Sequence, residues 1–359
     1  MSPSSESQSP ELYEKVKDLP LSIDGYELEG LELQARDDFL RKTTVVHLQG
    51  GGEEGIGEDV TYHADEHDRL QARGPDLPLA GLWTLQSFSE RLGTLPLFET
   101  EPAMHAYLDY RRWGFESAAL DLALRQAGLS LGEAAGRNAR PISFVVSMGL
   151  GSPPSPERFY AWLDLYPELR FKLDANPEWS AELVAELAAT GAVDSIDFKG
   201  QYRGTVVDTP PDAVLYARVA QALPDAWLED PALTEETIAV LEPHRDRITW
   251  DAIIHSVEDI EALAWPPRTV NVKPSRFGTV RRLFAAYDYC DAHGIGAYGG
   301  GQWELGPGRG QIQLLASLFH PDTPNDVAPG GYNAATPPPG LPASPLVVRP
   351  RETGFAVQS

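Results

Sequence analysis

The sequence has very little cysteine and no long hydrophobic run. Cys290 is the single cysteine among 359 residues, so no internal disulfide can form, which is typical of a protein from a reducing compartment. No apolar stretch reaches the roughly 18 residues that cross a bilayer. The polar, acidic start MSPSSESQSPELYEK lacks the apolar core of a signal peptide. We therefore expect a soluble, cytoplasmic protein with no membrane partner.

Positive charge is also scarce. The chain has 53 acidic and 29 basic residues, and its formal net charge is −24. Nucleic acids and anionic membranes bind basic surfaces, so this excess of negative charge argues against both as partners. Hydrophobic residues make up 42% of the chain, which is enough for a sizeable core.

Lysine is rarer still than arginine. Six residues are lysines: Lys15, Lys17, Lys42, Lys172, Lys199 and Lys273. Beyond residue 42, each lysine ends an apolar, strand-like run, LRFK, VDSIDFK or RTVNVK. Arginine stays protonated in proteins, whereas a partly buried lysine can lose its proton and act as a base. A general preference for arginine over lysine explains the choice of basic residue at the surface. It does not explain why these three lysines all stand at the end of a strand-like run, so we interpret at least two of them as functional.

The first third of the chain has the pattern of a separate α+β domain. Residues 1–20 are predicted to be a disordered arm. Residues 21–63 contain strand-like segments around a glycine turn, and residues 80–128 show helical periodicity. This order predicts an α+β domain over residues 21–135. The Pro- and Gly-rich tail, residues 330–359, is expected to fold back over that domain and to belong to it.

Strands and helices alternate after Pro141. The strands are predicted at 142–147, 169–173, 193–198, 226–229, 248–253, 268–273 and 295–298, with a poorly defined last one near 325–328. The helices are predicted at 156–165, 180–190, 211–222, 234–243, 256–264, 278–293 and 310–319. Seven or eight such units within residues 136–329 are typical of a TIM-type barrel, so the predicted fold class is α/β.

Charged residues stand at the predicted C-terminal ends of these strands, where barrel enzymes carry their chemistry. They are Lys172, Asp174, Asp197, Lys199, Glu229, Asp230, Asp251, Lys273 and Glu304. Three single carboxylates from consecutive strands, Asp197, Glu229 and Asp251, make an oxygen-rich pocket suited to Mg²⁺. Lys172 and Lys273 come from the strands on either side, so we expect their amines to face each other across the metal.

This layout resembles the enolase superfamily, particularly its muconate-lactonising and mandelate-racemase branches. The resemblance covers most of the chain and rests on GIGEDVTY near the N-terminus, WLEDP at the fourth strand, Asp251 at the fifth, NVKPSRFG at the sixth and GGGQWELGPGRGQIQ at the seventh. It implies a modified (β/α)₇β barrel whose mouth is closed by loops of an N-terminal α+β capping domain. It also implies an enzyme in which a lysine removes the proton α to a carboxylate and a metal ion stabilises the enolate.

Residue roles follow from the resemblance. Lys273 is the expected base, and Lys172 faces it as an acid or polarises the carboxylate of a small substrate. Cycloisomerisation, dehydration or epimerisation would complete the reaction. The candidate substrate contacts are Gln302, Trp303, Glu304 and Arg309. The capping-domain segments 20–25 and 47–60 are expected to be loops that set specificity.

The segment KLDAN has the residue types of a metal-binding motif, but the spacing argues against that interpretation. Asp197, Glu229 and Asp251 are separated by 32 and 22 residues, each about one strand–helix unit. Asp174 lies 55 residues before Glu229, so a ligand at Asp174 would skip one whole strand–helix unit. The count therefore favours Asp197 as the ligand and places Lys172 on the catalytic second strand.

The second strand also departs from the superfamily. Lys-x-Lys is common there, and Asp174 replaces the second lysine. Lys199, on the same face of the next strand as Asp197, either supplies the missing amine or neutralises the extra acid. This departure argues against two-base racemisation and leaves proton abstraction by Lys273 as the prediction.

Simpler interpretations stay open at this point. Glu229 and Asp230 are candidates for the N-cap of the helix near Thr234, and Lys199 for an ordinary salt bridge. Glu304 has a structural alternative, in which it holds one of the lysines in place. Two other functions are a class I aldolase-type enzyme with a Schiff-base lysine and a non-catalytic barrel that binds an organic acid. A homo-oligomer is compatible with the sequence.

Overall fold

The N-terminal unit consists of an antiparallel sheet covered by a long helix. The computed structural model describes residues 11–36, 39–205 and 207–358. The strands of this unit are β1 (Pro20–Ile23), β2 (Gly25–Arg36), β3 (Phe39–Gly50), β4 (Glu53–Asp59) and β5 (Gly81–Thr84). The helices are α1 (Glu11–Glu14), α2 (Ala64–Arg73), α3 (Leu85–Leu92), α4 (Ala106–Gln126) and α5 (Leu131–Ala135). The sheet order is β2-β3-β4, and β1 pairs with β5.

Glycines in β4 allow α4 to lie directly on the sheet. A Cβ atom at Gly55 would stand 2.3 Å from the Ala118 carbonyl oxygen, and one at Gly57 would stand 2.1 Å from the Gly114 carbonyl oxygen. Any larger residue at these two positions would push the helix away from the strand. The helix therefore buries most of its length between the sheet and the rest of the protein.

The second unit is a barrel of parallel strands surrounded by helices. Its strands are β6 (Val146–Gly149), β7 (Phe171–Asp174), β8 (Val193–Asp197), β9 (Trp227–Glu229), β10 (Ile248–Thr249), β11 (Thr269–Val272) and β12 (Gly296–Gly299). Its helices are α6 (Glu157–Leu165), α7 (Ala181–Ala189), α8 (Ala213–Ala222), α9 (Glu235–Leu241), α10 (Val257–Glu261), α11 (Pro274–Phe277), α12 (Val280–His293) and α13 (Pro307–Phe319). A 3₁₀-helix spans Glu242–Arg247.

Backbone hydrogen bonds complete the ring of strands. β6 to β10 follow each other in order, and β11 pairs with β12. The amide of Asn271 donates to the Trp250 carbonyl at 2.9 Å, which connects β11 to the end of β10. The Asp326 amide donates to Gly299 at 2.8 Å, and the Val145 amide donates to Asn325 at 2.9 Å. The segment around residue 325 thus takes the place of the eighth strand.

N-caps fix the starts of the barrel helices at polar residues. Five caps have a side-chain oxygen that accepts a backbone N–H of the first turn: Ser180, Asp212, Thr234, Ser256 and Thr279. Because Thr234 itself caps α9, the interpretation of Glu229 and Asp230 as its N-cap is wrong. Both acidic side chains are instead fully buried inside the barrel.

The eighth strand is held by one buried asparagine rather than by an apolar pattern. The Asn325 amide group donates to the carbonyls of Ser143, His320 and Thr323 at 2.9–3.0 Å. Its oxygen accepts the Gly299 N–H at 2.6 Å and lies 2.6 Å from Nδ1 of His320. This side chain therefore joins three separate segments at the point where the barrel closes.

His320 next to Asn325 predicts acid sensitivity of the fold. Burial lowers the pKa of His320 to about 4 from its ordinary value of 6.5. The unfolded chain therefore binds more protons between pH 6.5 and 4, and the free energy of unfolding falls as the pH falls through this range, by up to about 3 kcal/mol from this group. Urea unfolding at pH 7 and pH 4 should show a smaller pH-dependent loss in His320→Gln than in the wild type.

The exposed residue His105 provides the control for this measurement. His105→Gln should keep the full pH-dependent loss of the wild type. An equal loss in His320→Gln and the wild type would contradict the assignment of this effect to His320.

Both ends of the chain differ in part from the sequence-based expectations. The predicted arm at 1–20 is wrong for its second half, since α1 buries Leu12 and Tyr13; residues 1–10 lie outside the described part. The tail contacts both units. Tyr332 packs against the barrel residue Trp162, with ring centroids 5.2 Å apart, whereas Phe355 packs against Trp113 of α4 at 6.3 Å. No helix in the described ranges has the length and apolarity to cross a bilayer.

Candidate active site

Lys172 lies within an acidic cluster at the ends of β7, β8 and β9. These strands are in register, with Asp197 opposite both Asp174 and Glu229. The Lys172 ammonium donates a hydrogen bond to the Glu229 carboxylate, and its Nζ lies 3.3 Å from Oδ2 of Asp197 and 3.6 Å from Oδ2 of Asp326. Burial by itself would lower the pKa of Lys172, but the surrounding carboxylates outweigh it and hold the pKa well above its usual value.

A second buried ion-pair group surrounds Asp251, two residues beyond β10. Lys273 Nζ donates to Oδ2 of Asp251 at 2.7 Å, and Arg276 Nη1 donates to Oδ1 at 2.5 Å. The Tyr202 hydroxyl also donates to Oδ2, at 2.8 Å. Burial lowers the pKa of Lys273; Asp251 opposes this shift, and the positive charges of Arg276 and Lys172 add to it. The role of base that the resemblance implies for Lys273 stays a prediction.

Asp230 holds the segment that carries Asp251. Its two carboxylate oxygens accept the backbone N–H groups of Asp251 and Ala252, at 2.9 and 2.8 Å. Asp230 itself has a φ of 48°, a left-handed conformation that turns the chain sharply after β9. Burial and the neighbouring charges of Asp251 and Asp197 raise the pKa of Asp230 to about 7.

Three of these carboxylates fit a divalent metal ion. Asp197, Glu229 and Asp230 are fully buried, and one oxygen of each lies within 4.8 Å of the others. A set of carboxylate oxygens is the donor chemistry that Mg²⁺ prefers. Asp251, the third ligand predicted from the sequence, is not in this group of described residues, and its carboxylate pairs with the cations named above. Asp197 and Glu229 belong both to the ligands predicted from the sequence and to the group found in the structure. The third ligand stays a prediction.

Asp174 and Lys199 form an ion pair beside this group. Lys199 Nζ lies 3.2 Å from Oδ1 of Asp174 and also donates a hydrogen bond to the Asp197 carboxylate. The order β6-β7-β8-β9 confirms that Lys172 stands on the second strand and Asp197 on the third. Lys199 is thus paired with the acid that replaces the second lysine of the superfamily pattern.

The loop after β12 carries three of the predicted substrate contacts, Gln302, Trp303 and Glu304, and Arg309 follows in α13. Gln302 donates from Nε2 to the Tyr110 hydroxyl at 2.9 Å. Glu304 accepts the Gln302 N–H at 2.6 Å, and its other oxygen lies 3.1 Å from Arg309 Nη2. Trp303 between them has a φ of 58°, so the loop is sharply bent. Gln302 and Glu304 are both buried, at the boundary with the N-terminal unit.

The sheet of the N-terminal unit holds this loop through two buried charges. Arg41 donates to the carbonyls of Gln302 and Trp303 at 2.8 and 3.1 Å. Glu58 accepts the N–H groups of Leu305, Gly306 and Gly308 at 2.7–3.1 Å, so it caps α13 from another domain. The segments 20–25 and 47–60, predicted as loops, lie mainly in strands β1 to β4. That expectation is wrong because these residues form paired strands.

Glu58→Ala is expected to lower the free energy of unfolding by about 2–4 kcal/mol, because three buried N–H groups lose a charged acceptor. Glu54→Ala, which removes an exposed carboxylate from the same strand, should change it by less than about 1 kcal/mol. Urea unfolding of both variants measures the difference. Equal losses in the two variants would mean that water or another group accepts the hydrogen bonds of the loop N–H groups when Glu58 is removed.

Several residues of the site were not found from the sequence. They are Tyr202, Asp326, Arg276, Tyr298, Arg41 and Glu58. Tyr298, for example, donates its hydroxyl proton to Glu229 from β12. Arg276 was a detectable signal, because it lies one helical turn after Lys273 in NVKPSRFG. The contacts of the others join segments far apart in sequence.

Comparison with known proteins places the chain in a family. The N-terminal domain model of DUF8230, a domain of unknown function, matches residues 14–134, and the C-terminal domain model matches residues 138–334. The chain belongs to the DUF8230 family. The two matches together span both units of the fold described above.

Two curated enzymes are similar to part of the chain. The chain is 29% identical over 177 residues to an N-succinylamino acid racemase from Amycolatopsis sp, covering 46% of this chain and 44% of that protein. It is 24% identical over 222 residues to o-succinylbenzoate synthase from Bacillus subtilis (strain 168), covering 60% of this chain and 58% of that protein. The matches thus span about half the length of these relatives.

A solved structure establishes the likeness in fold. A member of the enolase superfamily from Listeria innocua superposes with a TM-score of 0.62 at 18% identity, covering 86% of each chain. The predicted likeness in fold to that superfamily is confirmed, as is the predicted α/β fold, a (β/α)₇β barrel with an N-terminal α+β capping domain.

Proposed function

We propose that the protein is a Mg²⁺-dependent enzyme that removes the proton α to the carboxylate of a small organic acid. The observation that carries this proposal is geometric. Two buried lysines contact buried carboxylates at the ends of the barrel strands: Lys172 contacts Asp197 and Glu229, and Lys273 contacts Asp251. Proton removal next to a carboxylate needs a base and fixed positive charge near the oxygens, and this arrangement contains both.

The roles of the residues follow from their surroundings. Lys273 takes the proton, since burial and the cations around it favour a neutral amine. Lys172 stays an ammonium group and stabilises the negative charge that develops on the substrate carboxylate. Asp197 and Glu229, with Asp230 or Asp251, would hold Mg²⁺, which supplies further positive charge at those oxygens. Epimerisation, cycloisomerisation or dehydration would then complete the reaction.

The proposed substrates are small carboxylates of the kind named for the relatives. N-Succinylamino acids carry an α proton next to a carboxylate and are the first candidates. The buried Gln302 and Glu304 offer polar atoms at the boundary between the units, where the rest of such a substrate would be recognised.

Deuterium exchange tests this function directly. The wild type with Mg²⁺ is incubated with N-succinylphenylalanine and other N-succinylamino acids in D₂O, and the α-proton signal is followed by NMR. We expect the α-proton signal to disappear with Mg²⁺ and to persist with EDTA. Exchange that persists in EDTA would remove the metal from the mechanism.

A Schiff-base lyase is the alternative that the buried Lys273 allows. Borohydride in the presence of a carbonyl substrate would then trap a covalent adduct on that lysine, with EDTA present. We expect no adduct. An adduct that disappears in Lys273→Ala would favour the lyase over proton abstraction.

A further inference from the structure

Lys199 holds Asp197 with two of its own groups. Its backbone N–H donates to Oδ1 of Asp197 at 2.9 Å, and its ammonium group donates to Oδ2. Lys199 makes both contacts with a φ of 54°, in the left-handed region that residues other than glycine rarely adopt. The neighbouring amides fix that conformation, since Phe198 and Gly200 donate to the carbonyls of Glu229 and Asp230, both at 2.9 Å. The ammonium group is therefore directed at the carboxylate by the fold.

Lys199 also has a second carboxylate within reach. Its Nζ lies 3.2 Å from Oδ1 of Asp174, and the Tyr202 ring centroid is 5.1 Å from the same nitrogen. The Asp197 side chain is fully buried, whereas the Asp174 side chain is 36% exposed. The ammonium group thus stands between an inner carboxylate that belongs to the candidate metal site and an outer one that does not.

We propose that Lys199 competes with the divalent metal ion for Asp197, and that Asp174 accepts the ammonium group when the metal binds. This inference rests on the proposed function, in which Asp197 is a metal ligand. An ammonium group in contact with Asp197 Oδ2 and a divalent cation on the same oxygen repel each other strongly at low dielectric. Lys199 donates a direct hydrogen bond to this oxygen, whereas Lys172 Nζ stands 3.3 Å from it, so we expect the metal to displace Lys199. The ion pair with Asp174 then keeps the charge of Lys199 compensated close by.

The competition makes metal affinity depend on two residues that need not touch the metal. Removal of the Lys199 charge should tighten binding, because the metal no longer displaces a cation. Removal of the Asp174 charge should weaken binding, because the displaced ammonium group loses its alternative partner. That second effect should vanish when residue 199 is uncharged, and this dependence separates displacement from simple long-range attraction.

Calorimetric titration with MgCl₂ alone tests the proposal on the full chain. We expect the Mg²⁺ Kd of Lys199→Met to be lower than that of the wild type by about tenfold or more. Asp174→Asn should raise the Kd by about tenfold in the wild-type background and by less than about twofold in the Lys199→Met background. Lys199→Gln should repeat the result of Lys199→Met, which guards against a folding defect in either variant.

Lys42→Met is the matched control, since Lys42 pairs with the exposed Asp68 in the N-terminal unit. It should leave the Kd unchanged. An unchanged or higher Kd in both Lys199 variants would overturn the proposal, and so would an equal effect of Asp174→Asn in both backgrounds. If the wild type binds Mg²⁺ and these effects are absent, the competition fails while the proposed function stands. If no variant binds Mg²⁺, both fail.

Discussion

Lys273→Ala is expected to abolish α-proton exchange in D₂O. A positioned general base contributes about 10²–10⁴-fold to such a step, and a methyl group at this position cannot accept the proton. Mg²⁺ binding should persist, because Asp197 and Glu229 keep their positions on β8 and β9. NMR of an N-succinylamino acid in D₂O measures exchange, and calorimetry measures metal binding on the same sample.

The control for this variant is Lys15→Ala, at a lysine whose side chain is 41% exposed and pairs with Glu11. It should exchange the α proton at the wild-type rate. Retained exchange in Lys273→Ala would assign the base to another residue. Lost Mg²⁺ binding in the same variant would mean that Lys273 acts by holding the acidic group together.

Asp251→Ala is expected to be the most destabilising single change in the site. The variant leaves Lys273 and Arg276 buried without their shared carboxylate, and breaking a buried pair in this way costs about 3–5 kcal/mol. The Tyr202 hydroxyl loses its acceptor in the same step. Urea unfolding at pH 7 with EDTA present measures the free energy of unfolding without a contribution from metal binding.

Asp246→Ala provides a matched comparison. Asp246 pairs with Arg268, and both side chains are at least 60% exposed, so the loss should be below about 1 kcal/mol. A loss of similar size in the two variants would contradict the central role of Asp251 among the buried ion pairs. Asp251→Asn separates charge from shape, since the amide keeps the acceptor oxygen and removes the negative charge.

The alternation of strands and helices could be predicted from the sequence because each barrel unit repeats the same local pattern. The run FKLD becomes β7 and VDSID becomes β8, close to the predicted strands at 169–173 and 193–198. The polar residue at each strand end followed from this pattern. Since parallel strands bring their C-terminal ends to one side, Lys172, Asp197 and Glu229 had to lie close together.

The eighth strand shows where local pattern fails. Its position near 325–328 was poorly defined in the sequence because Asn325 stabilises it by hydrogen bonds to three other segments. An asparagine with such partners has no distinctive neighbours along the chain. The predicted arm is wrong for residues 11–20 for a related reason, since Leu12 and Tyr13 are buried and the Leu12 N–H donates to Asp288, far away in sequence.

The sequence by itself determined which side chains stand at the ends of the barrel strands, because strand periodicity and unit length are local properties. Only the tertiary structure decided how those side chains pair. Asp251 is held by Lys273 and Arg276, Asp197 by Lys172 and Lys199, and the loop of Glu304 by Glu58 from the other unit. These pairings depend on which separate segments the fold brings together, because a buried charge needs an oppositely charged partner in contact with it.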